Sequence, residues 1–396
     1  MDGKAWRLVC VGLFNQIGFQ ACYSVGIIGC ATYMLGLDAF GVSALVLILN
    51  VVMLLGYSLA GALIDHVGPR PVLVTASLMP LFVGLGALLL PMSFPVLVVL
   101  AIMLALAGSV SSTCVETYPR FLDDSPEKLV RLNSLTNTAT SVSLIIGPTI
   151  AGVITAASSN KFTFAILVVL ALPSTALAAT LVERLRPEKK PEAAKSKTPL
   201  LSKLAEGARA TLASPALGLL FCICFFGYLG FGAFDSLESL FYRDVLHAGS
   251  EWMGWITAIA GIGATLGSLA AARLPIRLFN LRFLCVLVVI EGLGAILYVG
   301  TSSIPCAATG QFIVGVANGA LVVLRSALTQ KSCKLENLGS VSAIMRVGRN
   351  SAGTLPLFVA PFLSAAFGVQ PVLVGASALV ACIGAVLYLA ARRTRG

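Results

Sequence analysis

The sequence predicts an all-α polytopic membrane protein, with twelve transmembrane helices in two six-helix bundles. Three observations predict it. Hydrophobic residues make up 58% of the 396 and charged residues only 11%, roughly half the charged share of a soluble globular chain. Apolar stretches long enough to cross a bilayer recur along the whole chain. The basic residues gather in alternate connections between those stretches.

Mean hydropathy is +0.95, and a soluble chain of this length would need far more charge to cover its surface. The apolar stretches run over about 7–34, 41–64, 71–92, 95–118, 130–157, 162–183, 215–243, 252–273, 282–300, 303–328, 339–366 and 371–391. About 20 apolar residues cross a bilayer, so these twelve stretches use up the chain. The first could pass for a signal peptide, since Lys4 and Arg7 precede it and Ile28-Gly29-Cys30 resembles a lipoprotein cleavage box. It is too long for that, however, and it contains Asn15, Gln16 and Gln20, so it reads as an uncleaved span.

The net charge of +10 invites a nucleic-acid reading, which the distribution refutes. One side collects Lys4, Arg7, Arg70, Arg120, Lys128, Arg131, the run from Arg184 to Arg209, Arg273, Arg277, Arg282, Lys331, Lys334, Arg392, Arg393 and Arg395. The other side has Lys161 and Arg243. By the positive-inside rule both termini face the cytoplasm, which requires an even number of spans. A multi-pass protein of the cytoplasmic (inner) membrane follows, and the short loops suit a bacterial one. The segment after Glu183 is too rich in charge and proline to form a core. It divides the chain into bundles 1–183 and 214–396 joined by a cytoplasmic linker, 184–213. A faint repeat supports the division: Gly108 to Ser134 and Gly319 to Ser342 both run from a small-residue helix through a charged loop into a polar helix start.

Ten cysteines lie mostly in or at the ends of apolar runs, where free Cys behaves as a small hydrophobe. With two histidines in the chain, no metal cluster is expected.

Polar residues inside the stretches carry the chemistry, because polarity in a bilayer is costly and marks cavities. In stretch 1, Gln16, Gln20 and Tyr23 share one helix face. Stretch 4 has Ser109, Ser112, Thr113 and Glu116, and stretch 7 has Asp235, Glu238 and Tyr242. In stretch 10, Gln311, Asn318 and Arg325 recur every seven residues. These are candidate substrate-binding residues. Asp235 and Glu238, one turn apart and buried together, could exchange protons, as proton coupling needs. Blander readings stay open: the hydroxyls of stretch 4 bonding their own backbone, the glutamines joining helices, and the two carboxylates lying at a wet helix end near Arg243. Glu116 and Arg325 are candidates for an inner gate or an anchor for a charged substrate. Glu291, mid-stretch in the ninth, could pair with a neighbour and is not counted among the candidates. Arg346 and Arg349 either answer Asp65 or reach to the interface.

The loop between stretches 2 and 3 reads Gly61-Ala-Leu-Ile-Asp65-His-Val-Gly68-Pro-Arg70-Pro-Val-Leu73. Gly61 permits close helix approach, Gly68 can take a positive φ in a tight turn, and Asp65 can meet a helix N-terminus or an arginine. This loop resembles the signature of the major facilitator superfamily at Gly61, Leu63, Asp65, Gly68, Arg70 and Leu73. His66 and Pro69 stand where that signature is usually basic. Gly147, Pro148 and Gly152 in stretch 5 resemble an element of the antiporters of that superfamily, with Ala151 replacing a glycine. The arrangement from Arg120 to Gly152 resembles the branch of enterobactin exporters and macrolide-efflux proteins.

The resemblance implies a transporter in which stretches 1, 4, 7 and 10 line a central cavity and two bundles rock about it. It implies gating by Gly61, Asp65, Gly68, Arg70, Arg120, Gly147, Pro148 and Gly152. The expected function is proton-coupled efflux of a small organic molecule, drug-like, macrolide or siderophore-like, by a monomer in contact with membrane lipid. No cofactor is expected, since the proton gradient supplies the energy. Import of a nutrient by the same fold is the alternative, and a non-transporting receptor or scaffold is a third. No nucleophile with a base and no phosphate loop argues for an enzyme.

Overall fold

The computed structural model describes residues 3–122, 126–181, 208–209, 211–333 and 338–393. All regular structure among them is helical, and twelve helices are long and apolar enough to cross a membrane. They are α1 (Ala5–Met34), α2 (Ala39–Ile64), α3 (Pro69–Leu89), α4 (Phe94–Thr117), α5 (Arg131–Ala157) and α6 (Asn160–Ala179). After the midpoint come α7 (Pro215–Val245), α8 (Glu251–Ala272), α9 (Leu281–Val299), α10 (Ile304–Thr329), α11 (Val347–Phe367) and α12 (Val369–Arg392). The protein is thus an all-α, multi-pass membrane protein. Most of the predicted linker, residues 334–337, and the side chains of Asp65, Lys128 and Arg346 lie outside the described residues.

Local chemistry sets the helix ends. Asp38 and Asn280 cap their helices, accepting from the backbone N–H of Gly41 at 2.9 Å and of Phe283 at 3.0 Å, which satisfies donors that have no partner in the first turn. Proline occupies the first turn of α3, α4, α7 and α10, where its missing N–H costs nothing.

Two helices change their winding. In α1 the backbone is regular to Ala21 and then widens into π turns over Cys22–Ile28 and Cys30–Met34. Six helices later α7 tightens at Gly230–Ala233, resumes over Phe234–Leu240, and widens over Phe241–Val245. Such turns re-aim side chains and recur at functional sites.

The chain forms two compact units, Met1–Lys190 with His247–Ala258, and Pro191–Leu246 with Ile259–Gly396. In the first, α1 packs on α5 and α6, α3 on α4 and α6, and α2 on α4. In the second, α7 packs on α11 and α12, and α9 on α10 and α12. Most of these pairings thus recur six helices on. In the second unit α8 meets α10 along small residues: a Cβ on Gly315 or Gly319 would run into the carbonyl oxygens of Ala260 and Ala264. Glycine there lets the two backbones touch, the usual route to close helix contact where lipid gives no hydrophobic drive.

The sequence division places 247–258 in the second bundle, whereas by contacts this segment sits with the first unit. Tyr33 donates its hydroxyl to Ala248 O at 3.0 Å, and Gly254 lies directly against Pro148 O and the backbone of Gly152.

Candidate functional site

The late turns of α7 and the end of α9 build a polar cluster in the second unit. The Tyr298 hydroxyl donates to Glu238 Oε1 at 2.6 Å, and the Tyr242 hydroxyl reaches the same oxygen at 3.3 Å. The two tyrosine hydroxyls also bond each other. Both rings are fully buried, and Tyr298 is held between Phe234 and Phe241, with ring centroids 6.1 and 5.6 Å away. The wide turn that begins at Phe241 brings Tyr242 to this oxygen. Asp235 and Glu238 lie one turn apart on α7, close enough for Asp235 to feel the charge of Glu238. Asp235 is exposed and Glu238 half-buried. Residues three apart point roughly 60° apart around a helix, and here Glu238 is the one turned to the tyrosines.

A second polar cluster lies between α7, α9, α10 and α11. Glu291, 6% exposed, accepts from Asn318 Nδ2 at 3.0 Å. Both line a cavity of about 120 Å³ with Cys224, Tyr228, Arg325 and Arg349. Asn318 and Arg325, proposed from their sevenfold spacing, therefore share one pocket with Glu291, and Gln311 is half-buried further along α10. The guanidinium of Arg349 stands 5.9 Å over the Tyr228 ring, a cation–π contact.

In the first unit a polar cluster centres on Asn15 of α1. Asn15 donates to Ser77 Oγ at 2.9 Å and Ser111 Oγ at 2.7 Å, and it accepts from Ser174 Oγ at 2.6 Å. One amide thus ties α1 to α3, α4 and α6. Gln16, Gln20 and Tyr23 are half-buried, and Tyr23 stacks on Phe19 at 5.6 Å. The hydroxyls of α4 bond their own helix: Ser112 and Thr113 both donate to Ser109 O, at 3.0 and 2.9 Å. Glu116 is exposed and Arg325 half-buried, and they belong to different units.

The motif residues divide in what they do. Gly68 takes φ +90° between α2 and α3, a conformation that strains any residue with a Cβ. Arg70 donates to Ala179 O at the end of α6, where a cation also answers the helix dipole. Gly61 does not serve a close helix approach, because nothing lies within 4 Å of where its Cβ would be. Gly147 does: its Cβ would lie 2.8 Å from Ile17 O on α1, and that of Gly152 3.0 Å from Glu251 O. Pro148 sits inside α5 beside Gly254, and Arg120 is exposed.

Sequence reasoning missed Tyr298 and Asn15 and set Glu291 aside. The available signal was spacing: Glu291 and Tyr298 are seven residues apart, the same period that marked α10. Asn15 had no such signal, since its three serine partners come from three other helices.

Comparison with known proteins bears on the fold. No curated protein sequence matches the chain. Among solved structures, the nucleoside transporter NupG superposes with a TM-score of 0.71 at 13% identity, covering 98% of this chain and 99% of that one. A bacterial homolog of the human lysosomal transporter Spinster gives 0.72 at 16%, over 98% and 96%. A peptide transporter, POT, gives 0.77 at 12%, over 98% and 94%. At such identities the likeness speaks for the fold alone. The family model of the Major Facilitator Superfamily matches residues 8–356, which is most of the chain, and with the twelve helices in hand the conclusion is direct: this protein belongs to the Major Facilitator Superfamily.

Proposed function

We propose that this membrane transporter exports a small organic molecule in exchange for protons, with Glu238 as the residue that takes and releases the proton. The observation that carries this reading is the Tyr298 hydroxyl 2.6 Å from Glu238 Oε1. A hydroxyl can donate or accept. The ionised carboxylate accepts from Tyr298, and the protonated acid donates back to a tyrosine oxygen, so neither state strands a buried polar group. Asp235, exposed one turn earlier, passes the proton between Glu238 and water. Charge on Glu238 is costly wherever water is excluded, so its protonation biases the protein between states open to opposite sides.

The outward direction is supported by the antiporter-like element at Gly147, Pro148 and Gly152. A drug-like, macrolide or siderophore-like substrate is supported by the branch resemblance, and a cytoplasmic membrane with both termini inside by the basic loops. Uptake of a small polar metabolite is the second reading, favoured by the likeness in fold to nucleoside and peptide transporters.

Proton flux in proteoliposomes tests this, using wild type, Asp235→Asn and Glu238→Gln challenged with lipophilic cations, macrolides and catechol siderophores. Substrate-dependent proton movement lost in Glu238→Gln supports coupled exchange. Movement that ignores the proton gradient and survives Glu238→Gln removes Glu238 from the coupling step.

A further inference from the structure

The rim of the second unit where α9 begins and α12 ends carries charge of one sign. Arg273, Arg277, Arg282 and Arg392 are exposed there, and among the described residues none of them forms an ion pair. The sequence supplies no counter-charge nearby either: residues 252–290 and 337–396 contain neither Asp nor Glu.

Two of these arginines stand at the head of apolar stripes. On α9 the exposed residues are Arg282, Val286, Ile290 and Leu293, spaced three or four apart and so on one helix face. On α12 the exposed residues Cys382, Val386 and Leu389 lead in the same way to Arg392.

The two stripes adjoin. A Cβ on Gly384 would lie 3.0 Å from the backbone N of Val289, and one on Gly292 would run into the backbone of Ala381. Numbers rise along α9 as they fall along α12, so the helices are antiparallel. Val286, Ile290 and Leu293 each follow by one position a residue at this contact (Cys285, Val289 and Gly292), and Cys382 follows Ala381 likewise. One step turns a side chain by about 100°, and in antiparallel helices that turn carries both stripes to the same side of the contact. At their head, Arg282 Nε donates to Ala391 O at 3.3 Å, one residue before Arg392, and the Arg392 guanidinium stands 5.2 Å over the Tyr388 ring. The bond to Ala391 answers the C-terminal end of the α12 dipole, yet it uses one of the five donors that Arg282 carries.

Two guanidiniums above one apolar face have the chemistry of a phospholipid site. Arginine and tyrosine sit at headgroup level, where a lipid holds its phosphate, and its chains run down the adjoining stripes. A zwitterionic lipid brings its own cation beside Arg273 and Arg277, so a lipid with net negative charge gains more.

We propose that an anionic phospholipid binds on this face, its phosphate against Arg282 and Arg392 and its chains along Val286, Ile290, Leu293, Val386 and Leu389. A soluble phosphate would meet only the arginines, whereas the lipid meets both surfaces.

The test is native mass spectrometry of the delipidated full-length protein. It is titrated with dioleoyl phosphatidylglycerol, with dioleoyl phosphatidylcholine, and with phosphatidylglycerol in the presence of inorganic phosphate. Wild type should hold its first phosphatidylglycerol about tenfold more tightly than phosphatidylcholine. Arg282→Gln combined with Arg392→Gln should lower phosphatidylglycerol affinity by about tenfold or more. Arg120→Gln combined with Arg131→Gln removes the same charge from exposed sites of the first unit and should leave that affinity unchanged. The proposal fails if wild type binds the two lipids equally, or if both double variants lose lipid alike. It fails too if inorganic phosphate displaces the lipid as readily as free phosphatidylglycerol does. The comparison of lipids on wild type needs no variant to fold, and none of these measurements involves transport, so they stand apart from the role given to Glu238.

Discussion

The Tyr298 hydroxyl lies 2.6 Å from Glu238 Oε1, although 60 residues separate them and they come from different helices. Its ring is fixed between Phe234 and Phe241, so the oxygen is presented to the carboxylate by packing rather than by chance rotation. Removing the oxygen while keeping the ring isolates its contribution. Tyr298→Phe should reduce proton-driven transport by about tenfold, equivalent to about 1.4 kcal/mol in the barrier. Thermal stability should fall by only about 1 kcal/mol. Transport assays in proteoliposomes and melting in detergent check the two together, and unchanged transport would separate Tyr298 from the coupling step.

Asn15 holds α1 to three other helices through Ser77, Ser111 and Ser174. Hydrogen bonds between membrane helices contribute about 0.6 kcal/mol each on average. Asn15→Leu should therefore destabilise the first unit by roughly 2 kcal/mol, visible as a lower midpoint in chemical unfolding. A midpoint equal to wild type would mean that the serines find other partners.

Two glycines that look alike in sequence should behave oppositely. Gly319→Ala forces a methyl against the Ala264 carbonyl and should cost about 1–3 kcal/mol, as overpacking does. Gly61→Ala meets nothing within 4 Å and should change stability by less than about 0.5 kcal/mol. If Gly61→Ala leaves the protein stable yet abolishes transport, the motif acts during the conformational cycle rather than in the resting fold.

Arg70 donates to Ala179 O, linking the turn after α2 to the end of α6. Arg70→Ala should cost about 1 kcal/mol of stability, and Arg70→Lys should recover part of it, since a lysine keeps the charge but not the planar fork. Melting of the two variants side by side provides the measurement. Equal loss in both would assign the contact to guanidinium geometry rather than to charge.

The positive φ expected at Gly68 is present, and Gly147 and Gly152 pack closely against neighbouring backbone. The close approach expected at Gly61 is not, because a glycine licenses a contact without requiring one. The sevenfold spacing on α10 brought Asn318 and Arg325 to one pocket, but it did not reveal that α9 supplies the carboxylate. Asp235 and Glu238 differ in exposure for a related reason. Spacing gives the angle between two side chains on one helix, and the neighbouring helix decides which of the two is covered.

Local chemistry written along the chain therefore determined the membrane class, the twelve helices, their caps and their proline starts. Each of these depends on residues within a few positions of one another and on the cost of placing polar backbone in lipid. Which polar side chains meet was decided only by tertiary structure. Asn15 bonds residues 62, 96 and 159 positions away. Such meetings depend on how each helix is rotated and how deep it sits against its neighbours, and that is fixed by packing across whole helix faces rather than by any short stretch of sequence.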